Sequence, residues 1–84
     1  MKLVFSERAW DDYLCWPSND RKTLARINAL LKECSRSPFE GIGKPEPLTG
    51  TLSGWWSRRI TQEQRLVYRP LEGSLMIAQC RYHY

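Results

Sequence analysis

The sequence is poor in the residues that build metal sites, disulfide frameworks and membrane spans. It holds one histidine, His83, and three cysteines, Cys15, Cys34 and Cys80, with no C-x-x-C pair. That set argues against a zinc site. An odd number of cysteines, each in an otherwise apolar pattern, predicts three buried thiols in a reducing cytosol. No apolar run approaches membrane-spanning length. Met1-Lys2 leads into three apolar residues before Ser6-Glu7, which does not read as a signal peptide. The expectation is a cytoplasmic protein with no cofactor, no metal and no membrane contact. Repeats, low-complexity tracts and a second domain are also missing, and 84 residues make one domain with a single small core.

What is present is aromatic and basic. Four Trp, four Tyr and two Phe let a short chain bury useful apolar area without covalent staples. Thirteen basic residues against nine acidic ones leave a net charge of +4. Nine of the thirteen are arginines, whose planar fork suits phosphate oxygens. This balance permits nucleic-acid binding without establishing it.

Hydrophobic periodicity predicts the elements. Lys2–Phe5 reads as a strand, and Ser6 as the N-cap of a helix with Ala9, Trp10, Tyr13 and Leu14 on its inner stripe and Asp11 and Asp12 away from it. Pro17-Ser18-Asn19-Asp20 ends that helix and caps a second, Arg21 to Arg36, with Leu24, Ile27, Leu31 and Cys34 inward and Leu30 beside them. Residues 37–54 carry three of the five prolines and four of the five glycines, and such long connections are usually functional or disordered. After Gly54 the period becomes two. Trp55–Thr61, Arg65–Arg69 and Ser74–Tyr82 read as strands joined by short turns. In the first, Trp56, Arg58 and Ile60 share one side. The expected fold is α+β, in the order β-α-α-β-β-β, with two N-terminal helices packed on one face of a small, mainly antiparallel sheet. The opposite face is free to carry arginines from neighbouring strands.

The tail Arg81-Tyr82-His83-Tyr84 follows a buried strand and is dense in groups that do chemistry or recognition. Metal-free cleavage of an RNA phosphodiester needs a base for the 2′-hydroxyl, an acid for the departing 5′-oxygen, and cations for the phosphate. His83 titrates in the right range but cannot fill both acid and base roles. The partner must be another residue type. Glu46 is the one carboxylate of nine with proline on both sides, in Lys44-Pro45-Glu46-Pro47-Leu48. The prolines should hold it on a stiff, extended segment. Arg59 and Arg65 are candidate phosphate clamps, and Tyr82 and Tyr84 candidate stacking rings. The plainer alternatives are a solvated Glu46 paired with Lys44, solubilising strand arginines and packing tyrosines.

Trp10-Asp11-Asp12-Tyr13-Leu14, Pro38-Phe39-Glu40-Gly41, Gly43-Lys44-Pro45-Glu46-Pro47-Leu48, Leu52-Ser53-Gly54, Trp56-Ser57-Arg58-Arg59-Ile60, Arg65-Leu66-Val67-Tyr68 and Cys80-Arg81-Tyr82-His83-Tyr84 run the length of the chain. In this order and spacing the sequence resembles the YoeB toxins of YoeB–YefM toxin–antitoxin systems, within the RelE/ParE superfamily. The resemblance implies a RelE-like fold and a ribosome-dependent endoribonuclease that cuts messenger RNA in the ribosomal A site. It implies Glu46 as general base, His83 as general acid, Arg65 as main phosphate-stabilising residue with Arg59 in support, and Tyr84 as an orienting or stacking residue. Lys44 adds positive charge, and Arg81 and Tyr82 join the RNA-binding set. A homodimer and a YefM-like antitoxin are the implied protein partners. Thr49-Gly50-Thr51 stands where relatives often carry a further basic residue, which bears on RNA affinity more than on chemistry. Two other readings remain open: a ParE-like toxin acting on DNA gyrase, and a non-catalytic RNA- or partner-binding module.

Overall fold

In the computed structural model, residues 1–82 are described. The chain forms β1 (Lys2–Phe5), α1 (Glu7–Asn19), α2 (Arg21–Arg36), β2 (Glu46–Pro47), β3 (Trp56–Arg59), β4 (Arg65–Leu71) and β5 (Ser74–Gln79), with a single 3-10 turn at Gly50–Leu52. One sheet runs in the order β1-β5-β4-β3-β2. β1 pairs with β5 in parallel and the other neighbours are antiparallel. The α+β architecture matches the expectation. The sheet gains a fifth strand, because Glu46 and Pro47 pair with Ser57 and Trp56 inside a stretch read as loop.

Each helix starts on a side-chain cap. Ser6 Oγ accepts the Ala9 N–H at 3.0 Å and donates to the Ala78 carbonyl at 3.0 Å, joining the α1 start to β5. Asp20 accepts from the Thr23 hydroxyl and backbone N–H. The Thr23 hydroxyl is the main reason its carboxyl sits below the usual carboxylate range. α1 continues to Asn19 rather than stopping near Pro17, and Asp20 alone is both its C-cap and the N-cap of α2.

Both helices pack on one side of the sheet. Ala9, Trp16, Ile27, Leu30, Leu31 and Cys34 meet Ile60, Leu66, Tyr68, Leu75, Ile77 and Cys80 there. The α2 stripe is the expected one. The α1 stripe is rotated from the expected one: Trp10 and Leu14 are exposed, whereas Asp12 and Trp16 are buried. Two hydrogen bonds account for the rotation. Asp12 Oδ2 accepts the Cys80 N–H at 3.2 Å, and Trp16 Nε1 donates to the Cys80 carbonyl at 2.8 Å. Burial pushes the Asp12 carboxyl up from its ordinary range, against the Cys80 N–H, Arg8 and Arg81. Of the three thiols, Cys34 and Cys80 are buried and Cys15 is half-buried.

The register sorts β3 and β4 between the two faces. Arg58 and Leu66 are partners on the helix side, and the alternate pairs Ser57–Val67 and Arg59–Arg65 belong to the other. β4 runs on through Pro70 to Leu71. Pro70 lies beyond Tyr68, the last β4 residue paired with β3, so its missing N–H interrupts no bond to that strand. β5 stops at Gln79 instead of reaching Tyr82. Its pairing with β4 slips between Val67 and Tyr68, which pair with Gln79 and Ile77. Ala78 is the extra residue, and the slip turns Gln79 onto the Val67 face while Ile77 stays in the core.

Candidate active site

The face without helices brings Glu46 and the two strand arginines to one end of the sheet. Glu46 pairs with Ser57 on β3, and two residues along β3, Arg59 pairs with Arg65 on β4. Two strand spacings across and two residues along separate the Glu46 and Arg65 Cα atoms by about 12 Å. Long side chains from those positions can meet on one small group held between them. Arg59 and Arg65, from neighbouring strands, thus share this face. Neither ion pair formed among the described residues, Arg8–Asp12 and Arg58–Glu33, uses Lys44, Arg59 or Arg65.

The segment carrying Glu46 is held by its backbone. Leu48 N–H donates to the Trp55 carbonyl at 2.8 Å, and Arg59 N–H to the Gly43 carbonyl at 2.7 Å. Gly43 takes φ +82, where a Cβ would lie 2.9 Å from Leu30 Cδ2 and 3.2 Å from the Arg59 carbonyl oxygen. Lys44 follows with φ 51. The expectation that Pro45 holds Lys44 extended is thus overturned. The chain must leave α2 and the Arg58 side chain and reverse into β2 at once, and two successive left-handed residues make that reversal. For a non-glycine residue this conformation costs on the order of 1–2 kcal/mol, so the surrounding bonds must enforce it. Glu46 is exposed at the end of this turn.

Arg65 is buried, and its Nη1 donates to the carbonyls of Thr61 and Gln62 at 2.8 Å each and of Gln64 at 3.1 Å. The turn before β4 thereby grips the guanidinium and orients it. Arg59 is exposed, and its carbonyl accepts from Arg26 Nη2 at 3.3 Å.

The tail arrives beside Arg65. Arg65 N–H donates to the Tyr82 carbonyl at 2.9 Å, and Tyr82 N–H donates to Gln64 Oε1. Gln79 Nε2 donates to the carbonyls of Arg81 and Tyr82, at 3.1 and 3.3 Å. Tyr82 has φ 65, and the chain, already out of β5 at Gln79, turns there at the edge of the candidate site. Arg81 faces α1: its Nη1 lies 3.0 Å from Cys15 Sγ, and its guanidinium is 5.7 Å from the Trp16 ring centre and 4.7 Å from that of Tyr82. His83 and Tyr84, the expected acid and orienting ring, lie outside the described residues.

Sequence reasoning missed two sets of supporting residues. Asp12 and Trp16 pin both backbone polar groups of Cys80, just where the tail leaves the sheet. Arg58, fully buried, uses every donor of its fork. Nε reaches the Tyr68 hydroxyl, Nη1 reaches Glu33 Oε1 and the Ile42 carbonyl, and Nη2 reaches the carbonyls of Ser37 and Glu40. Burial works against its charge, yet the Tyr68, Cys34 and Glu33 contacts leave its pKa raised. The signal was available in the alternation of β3, which put an arginine between Trp56 and Ile60 on the helix side.

Among the described residues no group of three His, Cys, Asp or Glu could hold a metal ion, and no helix is long and apolar enough to cross a membrane.

Comparison with known proteins adds three findings. Residues 5–84 match the family model of the YoeB-like toxins of bacterial type II toxin–antitoxin systems. The chain is 60% identical to toxin YoeB of Escherichia coli K12 over the full length of both chains. Two structures from Staphylococcus aureus are similar to it, each at 46% identity and covering 100% of this chain and 98% of theirs. They are a YoeB dimer, with a TM-score of 0.93, and a heterotetrameric YoeB–YefM toxin–antitoxin complex, with a TM-score of 0.91.

Proposed function

This chain belongs to the YoeB-like toxins of bacterial type II toxin–antitoxin systems, and we propose that within that family it is a ribosome-dependent endoribonuclease that cleaves messenger RNA in the ribosomal A site. Glu46 takes the proton from the 2′-hydroxyl, whose oxygen attacks the adjacent phosphorus. His83 gives a proton to the departing 5′-oxygen. The products are a 2′,3′-cyclic phosphate, opening to a 3′-phosphate, and a 5′-hydroxyl. Arg65, with Arg59 in support, stabilises the charge that builds on the phosphate oxygens, and no metal is needed. Tyr84 orients or stacks and Lys44 and Tyr82 contact RNA, while Arg81, turned towards Cys15 and Trp16 of α1, is left out of that set.

The observation that carries this reading is the register Glu46–Ser57 and Arg59–Arg65 on the helix-free face, with the tail hydrogen-bonded to Arg65. A carboxylate, two guanidiniums and the segment leading to His83 share one end of the sheet. The site of action is then the cytoplasm, where messages are translated. The protein partners are a YefM-like antitoxin and a second copy of the chain. Exposed Leu3, Val4, Trp10 and Leu14 offer apolar surface of the sort that protein partners cover.

The test is mapping of cleavage sites on a message with and without ribosomes. Cutting that appears only with ribosomes supports the reading. Glu46→Ala or His83→Gln should lose at least on the order of 10²-fold in cleavage with ribosome binding retained. Undiminished cutting by both variants would falsify the assignment. An intact message combined with blocked DNA supercoiling would favour the gyrase-directed alternative.

A further inference from the structure

Three consecutive residues of β3 hold the segment that delivers Glu46, each by different means. Ser57 pairs with Glu46 itself, Arg59 N–H grips the Gly43 carbonyl, and between them Arg58 sends its side chain the other way, into the helix side. Its fork gathers the carbonyls of Ser37, Glu40 and Ile42. Glu33 closes the cluster, since Oε1 accepts both Arg58 Nη1 at 3.2 Å and the Ile42 N–H at 2.7 Å. Tyr68 joins it from the sheet, accepting from Arg58 Nε and donating to the Pro38 carbonyl.

The residues so gathered run from the end of α2 to Ile42, directly before the Gly43–Lys44 reversal. Side-chain packing does little to order that stretch from within: Phe39 meets Trp56 at 4.9 Å between ring centres but is itself exposed, and Glu40, Gly41 and Ile42 are exposed as well. A buried cation bonded to three carbonyls is a point from which the rest of the loop is measured. If that point moves, the left-handed pair at Gly43 and Lys44 relaxes and the β2 carboxylate moves with it.

We propose that Arg58 is a positioning residue for Glu46: its buried guanidinium fixes residues 37–42 and so sets the place of the general base. This inference rests on the reading of Glu46 as the base. Arg58 touches no substrate in this scheme and acts through the loop alone. Lysine cannot replace it, because three donors on one point cannot span the five acceptor contacts of a planar fork.

The test is single-turnover cleavage of ribosome-bound message, at saturating protein, by Arg58→Lys and Tyr68→Phe, each alone and combined with Glu46→Gln. With Glu46 present, Arg58→Lys should lose on the order of 10²-fold in rate, the scale of an ångström's misplacement of a reacting group. Combined with Glu46→Gln, the same substitution should cost no more than about twofold, since there is no base left to misplace. Tyr68→Phe removes two ties, the acceptor of Arg58 Nε and the donor to the Pro38 carbonyl, and keeps the fork. It should show the same non-additivity with a smaller loss, and it decides the matter if Arg58→Lys does not fold. Equal factors with and without Glu46 would mean a general structural role and overturn the inference, as would full activity of both variants. Full activity of Glu46→Gln by itself would remove the base assignment and this inference together, a result separable from the other two.

Discussion

Replacing Asp12 tests how α1 holds the tail. Asp12→Ala removes the acceptor of the buried Cys80 N–H. A buried donor left without a partner costs about 1–3 kcal/mol. Against this stands a gain, because burial disfavours the Asp12 carboxylate and raises its pKa above 3.8. Asp12→Asn separates the two terms, since its amide oxygen can still accept from Cys80 while the charge is gone. The sign follows from linkage. A carboxyl whose folded pKa is raised contributes stability that is fully present below the unfolded value, near 3.8, and is lost as pH rises through the folded value. Asp12→Asn should therefore gain on the native protein as pH climbs from 3 to 7. At pH 7 it should be at least as stable as the native protein, with Asp12→Ala lower by about 1–3 kcal/mol. Urea unfolding at the two pH values measures this, and cleavage of translated message should fall for Asp12→Ala alone. If Asp12→Asn is as unstable at pH 7 as Asp12→Ala, the charge itself anchors Cys80 and the reasoning from burial is wrong.

Two further outcomes follow from the core and the loop. Burial pushes Cys34 up to about 11 and Tyr68 and Cys80 up to about 12, from 9.0, 10.0 and 9.0 respectively. Each contributes stability that is present below its unfolded value and lost as pH rises towards 11–12, so urea midpoints should be flat from pH 7 to 8 and fall from about pH 9 upwards, where the two thiols would ionise in the unfolded chain; a midpoint unchanged at pH 11.5 would contradict it. Gly43→Ala should destabilise by about 2 kcal/mol or more, through positive φ and the 2.9 Å approach to Leu30. Gly50→Ala, at φ +65 with open space around it, should cost only about 1–2 kcal/mol; equal losses in denaturant titration would show that contact with Leu30 plays no part.

Element types and most of the core were legible because they depend on local period. The 3.6-residue stripe of α2 and the two-residue alternation of β3 and β4 each name the buried side without knowledge of its neighbour. Alternation grouped Arg58 with Trp56 and Ile60 on one side of β3, and only the packed helices show that side to be the inner one. Glu46 stood out because flanking prolines are a local fact. The inward turn of Asp12 and Trp16 was not legible. Their partner, the Cys80 backbone, is 64 to 68 residues away, and no spacing within α1 announces it. The Ala78 slip in β5 was hidden for the same reason, since a bulge is defined by the strand across from it.

By itself, then, the sequence determined two amphipathic helices, alternating strands, a proline-flanked glutamate and the supply of arginines, because each follows from residue type and near spacing. The tertiary structure alone decided which strands lie side by side, that Arg59 faces Arg65 two residues along from Glu46, and that Arg58 binds a loop instead of a ligand. Those outcomes depend on hydrogen bonds between groups distant in the chain, whose geometry exists only once the sheet has closed.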